Sequence, residues 1–384
     1  MSKFDFDAES VRRGTSSIKW DTIPDGVIGM SIADSDWATA PAALDAVRDA
    51  IASPKTFGYG FNDYGLVDAV AAWYKRVYGA DVDRSWILPI PGIVPAFTAL
   101  LKLTERDALT VTPNYNMLLN SPARVGKRMI TSPMIEKAAD GTLTYAYDFD
   151  DLGVKAADAG VFFLVNPHNP IGYVYSREEL AEIAAFAKRR DLIVIADEIH
   201  AEIVYDKPHV PWFTVAPENS VTLVASGKVC NMPGIPGALA IVPDEALRER
   251  VRAAFGRTSL GALNSIAIRG AFGEGADEWK RAQAAHLKSV RDELISGLRA
   301  ALPRIRATRT EGTYLQWLDL SDYGLGDAQK FLLANARVAT AGGVSYGGGE
   351  GYIRINFAAS HARAAEAVRR ITDAVGKGGA SDGV

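Results

Sequence analysis

Two short apolar runs, each followed closely by a charged residue, dominate the middle of the chain. Residues 193–195 precede Asp197, and residues 221–224 precede Lys228. Short runs rich in β-branched side chains are typical of strands that are covered on both faces. Because ligands of open α/β sheets bind beyond the carboxyl ends of the strands, we expect Asp197 and Lys228 to face the same crevice.

The wider pattern predicts an α/β protein with two domains. Strand-like runs alternate with amphipathic helices from about residue 85 to 245, which favours a parallel sheet wrapped by helices. Beyond that point a long helix is expected near residues 270–300, and strands mixed with helices indicate a smaller α+β domain. We expect a large domain over residues 45–280 and a small domain formed by residues 1–44 and 281–384.

Two predictions concern the segment that precedes the large domain. A strand-like run ends in Asp34, and a helix begins at Pro41, a residue that suits the first turn. The helix has Leu44, Val47 and Ile51 on one face.

Composition and charge narrow the class of protein. The chain has 384 residues, of which 48% are hydrophobic and 23% charged, and its formal net charge is −4. No basic stripe indicates nucleic acid, and no polybasic segment indicates a membrane surface. One cysteine allows no intrachain disulfide, the N-terminus lacks an apolar signal segment, and no apolar run reaches the ~18 residues of a membrane span. We therefore expect a cytoplasmic protein.

A lysine and an acid that meet at the end of a sheet suit pyridoxal 5'-phosphate (PLP), because the lysine forms a Schiff base and the acid keeps the pyridine nitrogen protonated. The surrounding sequence resembles the fold-type-I PLP enzymes of the aspartate aminotransferase superfamily, and it is most similar to the cystathionine β-lyase-like C–S lyase branch. The resemblance runs from about residue 25 to 372 and is densest in NPHNPIG, DEIHAE, GKVCNMPG, EGTYLQWLD and GYIRINFA. It implies a PLP-dependent transferase-like fold whose large domain has a mostly parallel seven-stranded sheet.

The resemblance implies roles for individual residues around the cofactor. Lys228 is the Schiff-base lysine and general base, Asp197 pairs with the pyridine nitrogen, and Tyr115 stacks on the ring. The resemblance also implies cofactor contacts from the backbone amides of Ile93 and Val94 at a helix start. Side chains that follow strands contribute further contacts: Asn169, His200 and Ser226. Tyr59 matches a tyrosine that reaches the cofactor phosphate of the neighbouring subunit. Tyr64 lies close to Tyr59 in the chain and is an alternative for the last role.

The substrate contacts implied by the resemblance lie in two other segments. Arg354 matches the arginine that holds the substrate carboxylate through two parallel hydrogen bonds. The loop with Asp34 and Trp37 lies over the substrate in family members, and no metal is expected in the site. The loop reads SIADSDW where the branch usually reads like WVADMDF. Ala225 and Gly227 stand where hydroxyl groups are expected near the phosphate, and Tyr173 replaces a frequent arginine.

The implied function is a PLP-dependent C–S β-lyase that acts on an L-cysteine conjugate such as cystathionine, through an external aldimine and a quinonoid. His200 favours this branch, because aminotransferases of the superfamily more often have tyrosine there. An aminotransferase is the main alternative, followed by a PLP enzyme of specialised metabolism that carries out β/γ-substitution or C–C bond formation. An intact Lys228, Asp197 and Arg354 argue against a cofactor-binding regulator without turnover. The resemblance also implies a homodimer in which each subunit completes the site of the other.

Overall fold

The structure is a computed structural model that describes residues 4–8, 10, 12–53, 57–58, 63–256 and 259–378. Its first half contains α1 (Ile18–Asp21), β1 (Ile28–Gly29), α2 (Pro41–Ala52), α3 (Leu66–Tyr78), β2 (Ile87–Ile90), α4 (Ile93–Leu100), β3 (Asp107–Thr112), α5 (Asn116–Leu119), β4 (Met129–Pro133), β5 (Ile135–Ala139), β6 (Thr142–Ala146) and α6 (Phe149–Lys155). Its second half contains β7 (Ala159–Val165), α7 (Arg177–Arg189), β8 (Ile193–Asp197), β9 (Ser220–Val224), β10 (Ala238–Ile241), α8 (Glu245–Phe255), α9 (Ala262–Phe272), α10 (Asp277–Ala301), β11 (Arg306–Thr308), β12 (Leu315–Asp319), α11 (Ala328–Phe331), β13 (Val338–Ala339), β14 (Ala341–Gly342), β15 (Tyr352–Asn356) and α12 (His361–Gly378).

The larger sheet has seven strands in the order β2-β10-β9-β8-β7-β3-β4. Its pairs are parallel except for β10, which is antiparallel to both of its neighbours. Every residue of β7, β8 and β9 is buried, as expected for strands covered on both faces. The predicted mostly parallel seven-stranded sheet is therefore confirmed.

The register of these strands places their carboxyl ends at one edge of the sheet. Val165 at the end of β7 lies opposite Asp197, and Asp197 at the end of β8 lies opposite Leu223 in β9. The segments that follow the three strands therefore begin next to one another.

Helix ends agree with the local signals in the sequence. The Ser176 hydroxyl accepts the Glu179 N–H (3.2 Å), and the Glu179 carboxylate accepts the Ser176 N–H (2.7 Å), so the predicted capping box at the start of α7 is present. Helix α3 ends at Gly79, whose φ of +66° is a conformation that glycine adopts without strain.

A second sheet has six strands in the order β14-β15-β12-β11-β6-β5. Apolar side chains from β12, β15, α10 and α12 share one core with it, among them Leu294, Leu318, Ile353 and Ile371. Strands β5 and β6 pair in this sheet although they lie inside the range predicted for the large domain, so the boundaries at 45 and 281 stay a prediction. Within the described ranges, no helix has both the length and the apolar character that a membrane crossing requires.

One prediction about the N-terminal part was wrong in detail. Strand β1 ends at Gly29 and does not continue towards Asp34, because the Ile32 and Asp34 carbonyls accept hydrogen bonds from the Asn356 side chain (both 2.6 Å) rather than from a strand. Helix α2 forms where expected, but the Ile51 side chain is 62% exposed. The apolar face of α2 is thus only partly covered within one chain.

Candidate active site

The carboxyl ends of β8 and β9 bring an acid and an amine into one buried region. Asp197 is the last residue of β8, is only 2% exposed, and accepts the Ile199 N–H through Oδ1 (3.1 Å). Its second oxygen makes no hydrogen bond to the described residues. Lys228 follows β9, and the charges of Asp197 and Lys228 each shift the pKa of the other. The two residues therefore lie near each other beyond the carboxyl ends of β8 and β9.

Burial sets the protonation of both groups. Desolvation raises the pKa of the Asp197 carboxyl to about 7, helped by the neighbouring Glu198 charge and opposed by the Ile199 N–H and by Lys228. Desolvation also lowers the pKa of the Lys228 amine to about 8, helped by Arg354 and opposed by Asp34 and then Asp197. An amine with such a pKa is partly neutral near pH 7.5, so it can act as a nucleophile and as a base.

The Lys228 amine rests on a backbone carbonyl of the N-terminal loop. Its Nζ donates to the Ala33 oxygen (2.6 Å), and the fully buried Tyr314 hydroxyl donates to the same oxygen (3.0 Å). This carbonyl therefore holds the amine in place without adding a formal charge next to it.

Asn231 ties that loop to the segment with the lysine. Its Oδ1 accepts the Ser35 N–H (3.0 Å), and its Nδ2 donates to the Ser35 oxygen (3.1 Å) and the Trp37 oxygen (2.6 Å). Asn231 has φ of +49°, a left-handed conformation that asparagine tolerates better than most residues. The chemical reason for an asparagine three residues after Lys228 is thus the support of the loop.

Arg354 supplies a buried positive charge on the other side of the site. It lies in β15 and is 4% exposed, and its guanidinium donates to Asn169 Oδ1 (3.1 Å) and to the Ser31 carbonyl (2.8 Å). The guanidinium carbon lies 4.8 Å from the centre of the Tyr346 ring. Among the described residues it pairs with no carboxylate, and its Nε has no hydrogen-bond partner. A buried cation of this kind is unfavourable unless an anionic ligand neutralises it.

Further buried polar atoms of the site also lack hydrogen-bond partners among the residues that the structure describes. They include Ser226 Oγ, on a residue that is 1% exposed, and His200 Nδ1, on a residue that is 2% exposed. Burial and the Lys228 and Arg354 charges hold the pKa of His200 well below its usual range, so its imidazole is neutral. Each unsatisfied group is destabilising unless a ligand supplies a partner, so these atoms fit a polar ligand in the crevice.

The start of α4 has the features of a phosphate site. Gly92 precedes the helix with φ of +154°, a region that favours glycine. The amides of Ile93 and Val94 belong to the first turn and have no partner inside the helix. Pro95 has no N–H, so the available donors are concentrated in these two residues.

Tyr115 lies directly before α5 and is half-buried. Burial raises the pKa of its hydroxyl to about 12, with a further contribution from Asp197 and an opposing one from Arg354. The phenol is therefore neutral and lies within the electrostatic reach of both residues, as its predicted position beside the cofactor requires.

Asp34 and Trp37, the two loop residues predicted to contact the substrate, lie in different environments. Asp34 accepts a hydrogen bond from Arg12 (2.8 Å) and influences the charge on Lys228. Trp37 is 3% exposed and packs against Phe6, with ring centres 5.2 Å apart. Its ring is a packing element here, and its predicted contact with substrate stays a prediction.

Other predicted positions have separate outcomes. Tyr59 lies outside the described residues, whereas the hydroxyl of Tyr64 donates to the Gly58 carbonyl. Tyr173, which replaces a frequent arginine, donates to Glu179 Oε1 (2.7 Å) and so supports the start of α7.

Sequence reasoning missed three contributors to the site: Tyr314, Tyr346 and Asn356. Tyr314 contacts Ala33, which is 281 residues away in the chain, and Tyr346 contacts Arg354, which is eight residues away. Asn356 holds the N-terminal loop at Ile32, which is 324 residues away. Tyr314 does lie within EGTYLQWLD, which is the one signal that pointed to this segment.

The fold and the lysine–acid pair define a class of enzyme that works through an amine held at the end of a parallel sheet. Residues 25–371 match the family model of aminotransferase class I and II, and the chain belongs to this family. The family resemblance and the fold class expected from the sequence are thus confirmed.

Individual relatives are similar over nearly the whole chain. Cystathionine beta-lyase PatB of Bacillus subtilis (strain 168) is 33% identical over 390 residues, which cover 96% of this chain and 99% of that protein. An aspartate aminotransferase of Pyrococcus horikoshii is 24% identical over 362 residues, covering 91% and 90%. The crystal structure of the PLP-bound C–S lyase from Staphylococcus hominis matches with a TM-score of 0.88 and 27% identity, covering 97% of this chain and 98% of that one.

Proposed function

We propose that this protein is a PLP-dependent C–S β-lyase that acts on an L-cysteine conjugate such as cystathionine. The observation that carries the proposal is a desolvated Lys228–Asp197 pair within electrostatic reach of the buried Arg354, which pairs with no carboxylate among the described residues. The first two suit PLP, and the third suits the carboxylate of an amino acid. Support also comes from relatives along the full chain that are named as cystathionine β-lyases.

The residues of the crevice fit the parts of PLP. An amine can form an imine with its aldehyde, a carboxylate can pair with its ring nitrogen, an amide can reach its phenolic oxygen and donors can surround its phosphate. We assign these roles to Lys228, Asp197, Asn169, and the set Ile93, Val94 and Ser226, with Tyr115 against the ring face. When bound, PLP withdraws electrons from the α-carbon of the amino acid and so makes its proton acidic.

Substrate orientation is the task of Arg354. Its two existing hydrogen bonds fix the guanidinium plane, and its unpartnered Nε is available for a carboxylate oxygen. The Tyr346 ring covers one face of the guanidinium and excludes water from that side. Two parallel hydrogen bonds from one guanidinium would set the orientation of the bond to the α-proton.

Proton transfer is the task of Lys228. Once the substrate amine has replaced it, the Lys228 amine is free to accept the α-proton, and its lowered pKa keeps a useful fraction of it neutral. Through its free oxygen, Asp197 would keep a proton on the ring nitrogen of bound PLP. The β-thiolate then leaves, and with one water the remaining three carbons and the nitrogen end as pyruvate and ammonia.

An aminotransferase is the second candidate, and the aspartate aminotransferase relative favours it. The two reactions share the removal of the α-proton and differ in whether the thiolate leaves or the proton returns at another carbon. His200 supports the lyase, because this neutral imidazole stands where aminotransferases of the superfamily more often have a tyrosine. The unusual loop SIADSDW keeps substitution or C–C bond formation as a third possibility.

We also propose that the enzyme is a cytoplasmic homodimer. Ile51 in α2 and Leu263 in α9 are 62% and 40% exposed, and these two helices pack together. Phe57 is 49% exposed. Large exposed apolar side chains on neighbouring elements support a partner surface. Sedimentation of the PLP-loaded protein at micromolar concentration tests this, and a fully active monomer would contradict it.

One assay separates the first two functions. The PLP-loaded protein is incubated with cystathionine, and separately with L-amino acids plus 2-oxoglutarate. We expect pyruvate and free thiol from the first mixture and no glutamate from the second. Glutamate formation without pyruvate would replace the lyase by the aminotransferase. Lys228→Ala should abolish either activity, whereas the control Lys188→Ala, at a side chain that is 84% exposed, should retain it.

A further inference from the structure

Three possible metal ligands from distant parts of the chain meet on the surface of the small-domain helices. They are Asp7 in the N-terminal segment, His286 in α10 and His361 at the start of α12, and one ligand atom of each lies within 4.8 Å of the others. The two oxygens of Asp7 lie 2.9 and 3.1 Å from His361 Nδ1, and the two imidazole rings are 4.7 Å apart. None of the three takes part in the chemistry proposed above.

The hydrogen bonds around His361 leave a place for a cation. The Ser289 hydroxyl donates to Glu293 Oε1 (3.3 Å), so its oxygen is free to accept the Nε2–H of His361 at 3.0 Å. The Nδ1 atom of His361 then faces the Asp7 carboxylate, whose Oδ1 also accepts the His361 backbone N–H (2.8 Å). Two acceptors at 2.9 Å repel each other unless a proton or a metal ion lies between them.

His286 makes the metal ion the better occupant. Its Nε2–H donates to the Ala359 carbonyl (3.0 Å), which orients the ring and leaves Nδ1 with its lone pair. In both rings Nε2, the nitrogen that is not directed at the cluster, lies next to an oxygen acceptor. Metal-ligating histidines commonly have this arrangement.

The dimensions suit a small divalent ion after modest side-chain movement. Metal–ligand bonds of about 2.1 Å in a tetrahedral site place the ligand atoms about 3.4 Å apart. The distance between the Asp7 oxygens and His361 Nδ1 must increase slightly. The other distances between ligand atoms, which are at most 4.8 Å, must shorten by up to about 1.4 Å. The side chains of Asp7 and His361 are 53% and 32% exposed, so they have room to rotate.

We propose that Asp7, His286 and His361 form a binding site for a divalent transition-metal ion of the zinc type. Two imidazoles and one carboxylate are a ligand set that Zn²⁺ and its first-row neighbours accept, with water in the fourth position. The ion would fasten the N-terminal segment to α10 and α12. Phe6, next to Asp7, packs on Trp37, so the same ion would support the loop that holds Lys228.

Zn²⁺ binding to the full-length, PLP-loaded protein tests the proposal. After treatment with EDTA and its removal, the protein is titrated with ZnCl₂ by calorimetry and dialysed for metal analysis. We expect one Zn²⁺ per chain with a Kd of about 1 μM or below, and a rise of a few °C in Tm at saturation. Asp7→Asn and His361→Gln should each weaken binding about tenfold or more. Asp45→Asn is the matched control, because Asp45 is 59% exposed and also pairs with one basic side chain.

Asp7 is exposed and His361 is half-buried, so the Tm in EDTA checks that each variant is folded. Absence of a stoichiometric site below about 100 μM Zn²⁺ would overturn the proposal, as would undiminished binding in both variants. If both variants lower Tm equally with and without Zn²⁺, the cluster is only a proton-held ion pair, and the proposal is equally overturned. Because calorimetry and Tm do not depend on turnover, these outcomes are separate from the success of the lyase assay.

Discussion

The desolvated amine of Lys228 leads to a quantitative prediction about the uptake of PLP by the cofactor-free enzyme. Only a neutral amine attacks an aldehyde. With a pKa of about 8, about one quarter of the Lys228 amine is neutral at pH 7.5, whereas a lysine at 10.5 has about one part in a thousand. Burial therefore increases the reactive fraction by a factor of about 200 at this pH.

The assay is stopped-flow mixing of cofactor-free enzyme with PLP between about pH 6 and 9.5. The growth of the visible absorbance of the imine gives the rate. We expect the rate to rise with pH and to level off, with a midpoint near 8. The same series with free Nα-acetyl-lysine corrects for the ionisation of PLP itself.

Two variants should move this midpoint in opposite directions. Arg354→Leu removes a positive charge that lowers the pKa of Lys228, so the midpoint should rise. Asp34→Asn removes a negative charge that raises this pKa, so the midpoint should fall. A wild-type midpoint near 10.5, or shifts of both variants in the same direction, would refute the reasoning.

Four further predictions concern stability and binding. In the cofactor-free protein, the lowered pKa of Lys228 reduces the stability of the folded state as the pH falls from 10.5 to 8. Lys228→Met should therefore increase the free energy of unfolding, measured in urea at pH 7, by up to about 3 kcal/mol. A decrease of the same size would contradict this. Arg354→Lys should raise KM for the amino acid about 10- to 100-fold, because lysine cannot form two parallel hydrogen bonds; an unchanged KM would remove the assigned role. Gly227→Ser should slow PLP loss severalfold in a dilution assay, since an added Cβ meets nothing closer than 3.7 Å and the hydroxyl adds a phosphate donor; faster loss would show that the hydroxyl points elsewhere. Asn231→Ala should lower the free energy of unfolding by about 3 kcal/mol, because three hydrogen bonds to the N-terminal loop disappear; unchanged stability would mean that the loop is held without them.

Local patterns in the sequence were sufficient to predict the central strands of the larger sheet and the start of a helix beside them. Strands β8 and β9 could be predicted because a short, continuous β-branched run leaves few alternatives to a strand buried on both faces. The ends of parallel strands share one edge, so Asp197 and Lys228 could be placed together before any contact was known. The capping box at Ser176 is equally local, since both of its hydrogen bonds span three residues.

The tertiary structure alone decided how the site is finished. The carbonyl that holds Lys228 belongs to Ala33, 195 residues away, and the tyrosine that shares it is 281 residues from that carbonyl. The Trp37 ring packs against Phe6 while a distant asparagine holds the backbone of its loop, and its contact with substrate stays a prediction. Periodicity reports which face of an element is apolar, and it carries no information about which distant backbone oxygen or side chain that face will meet.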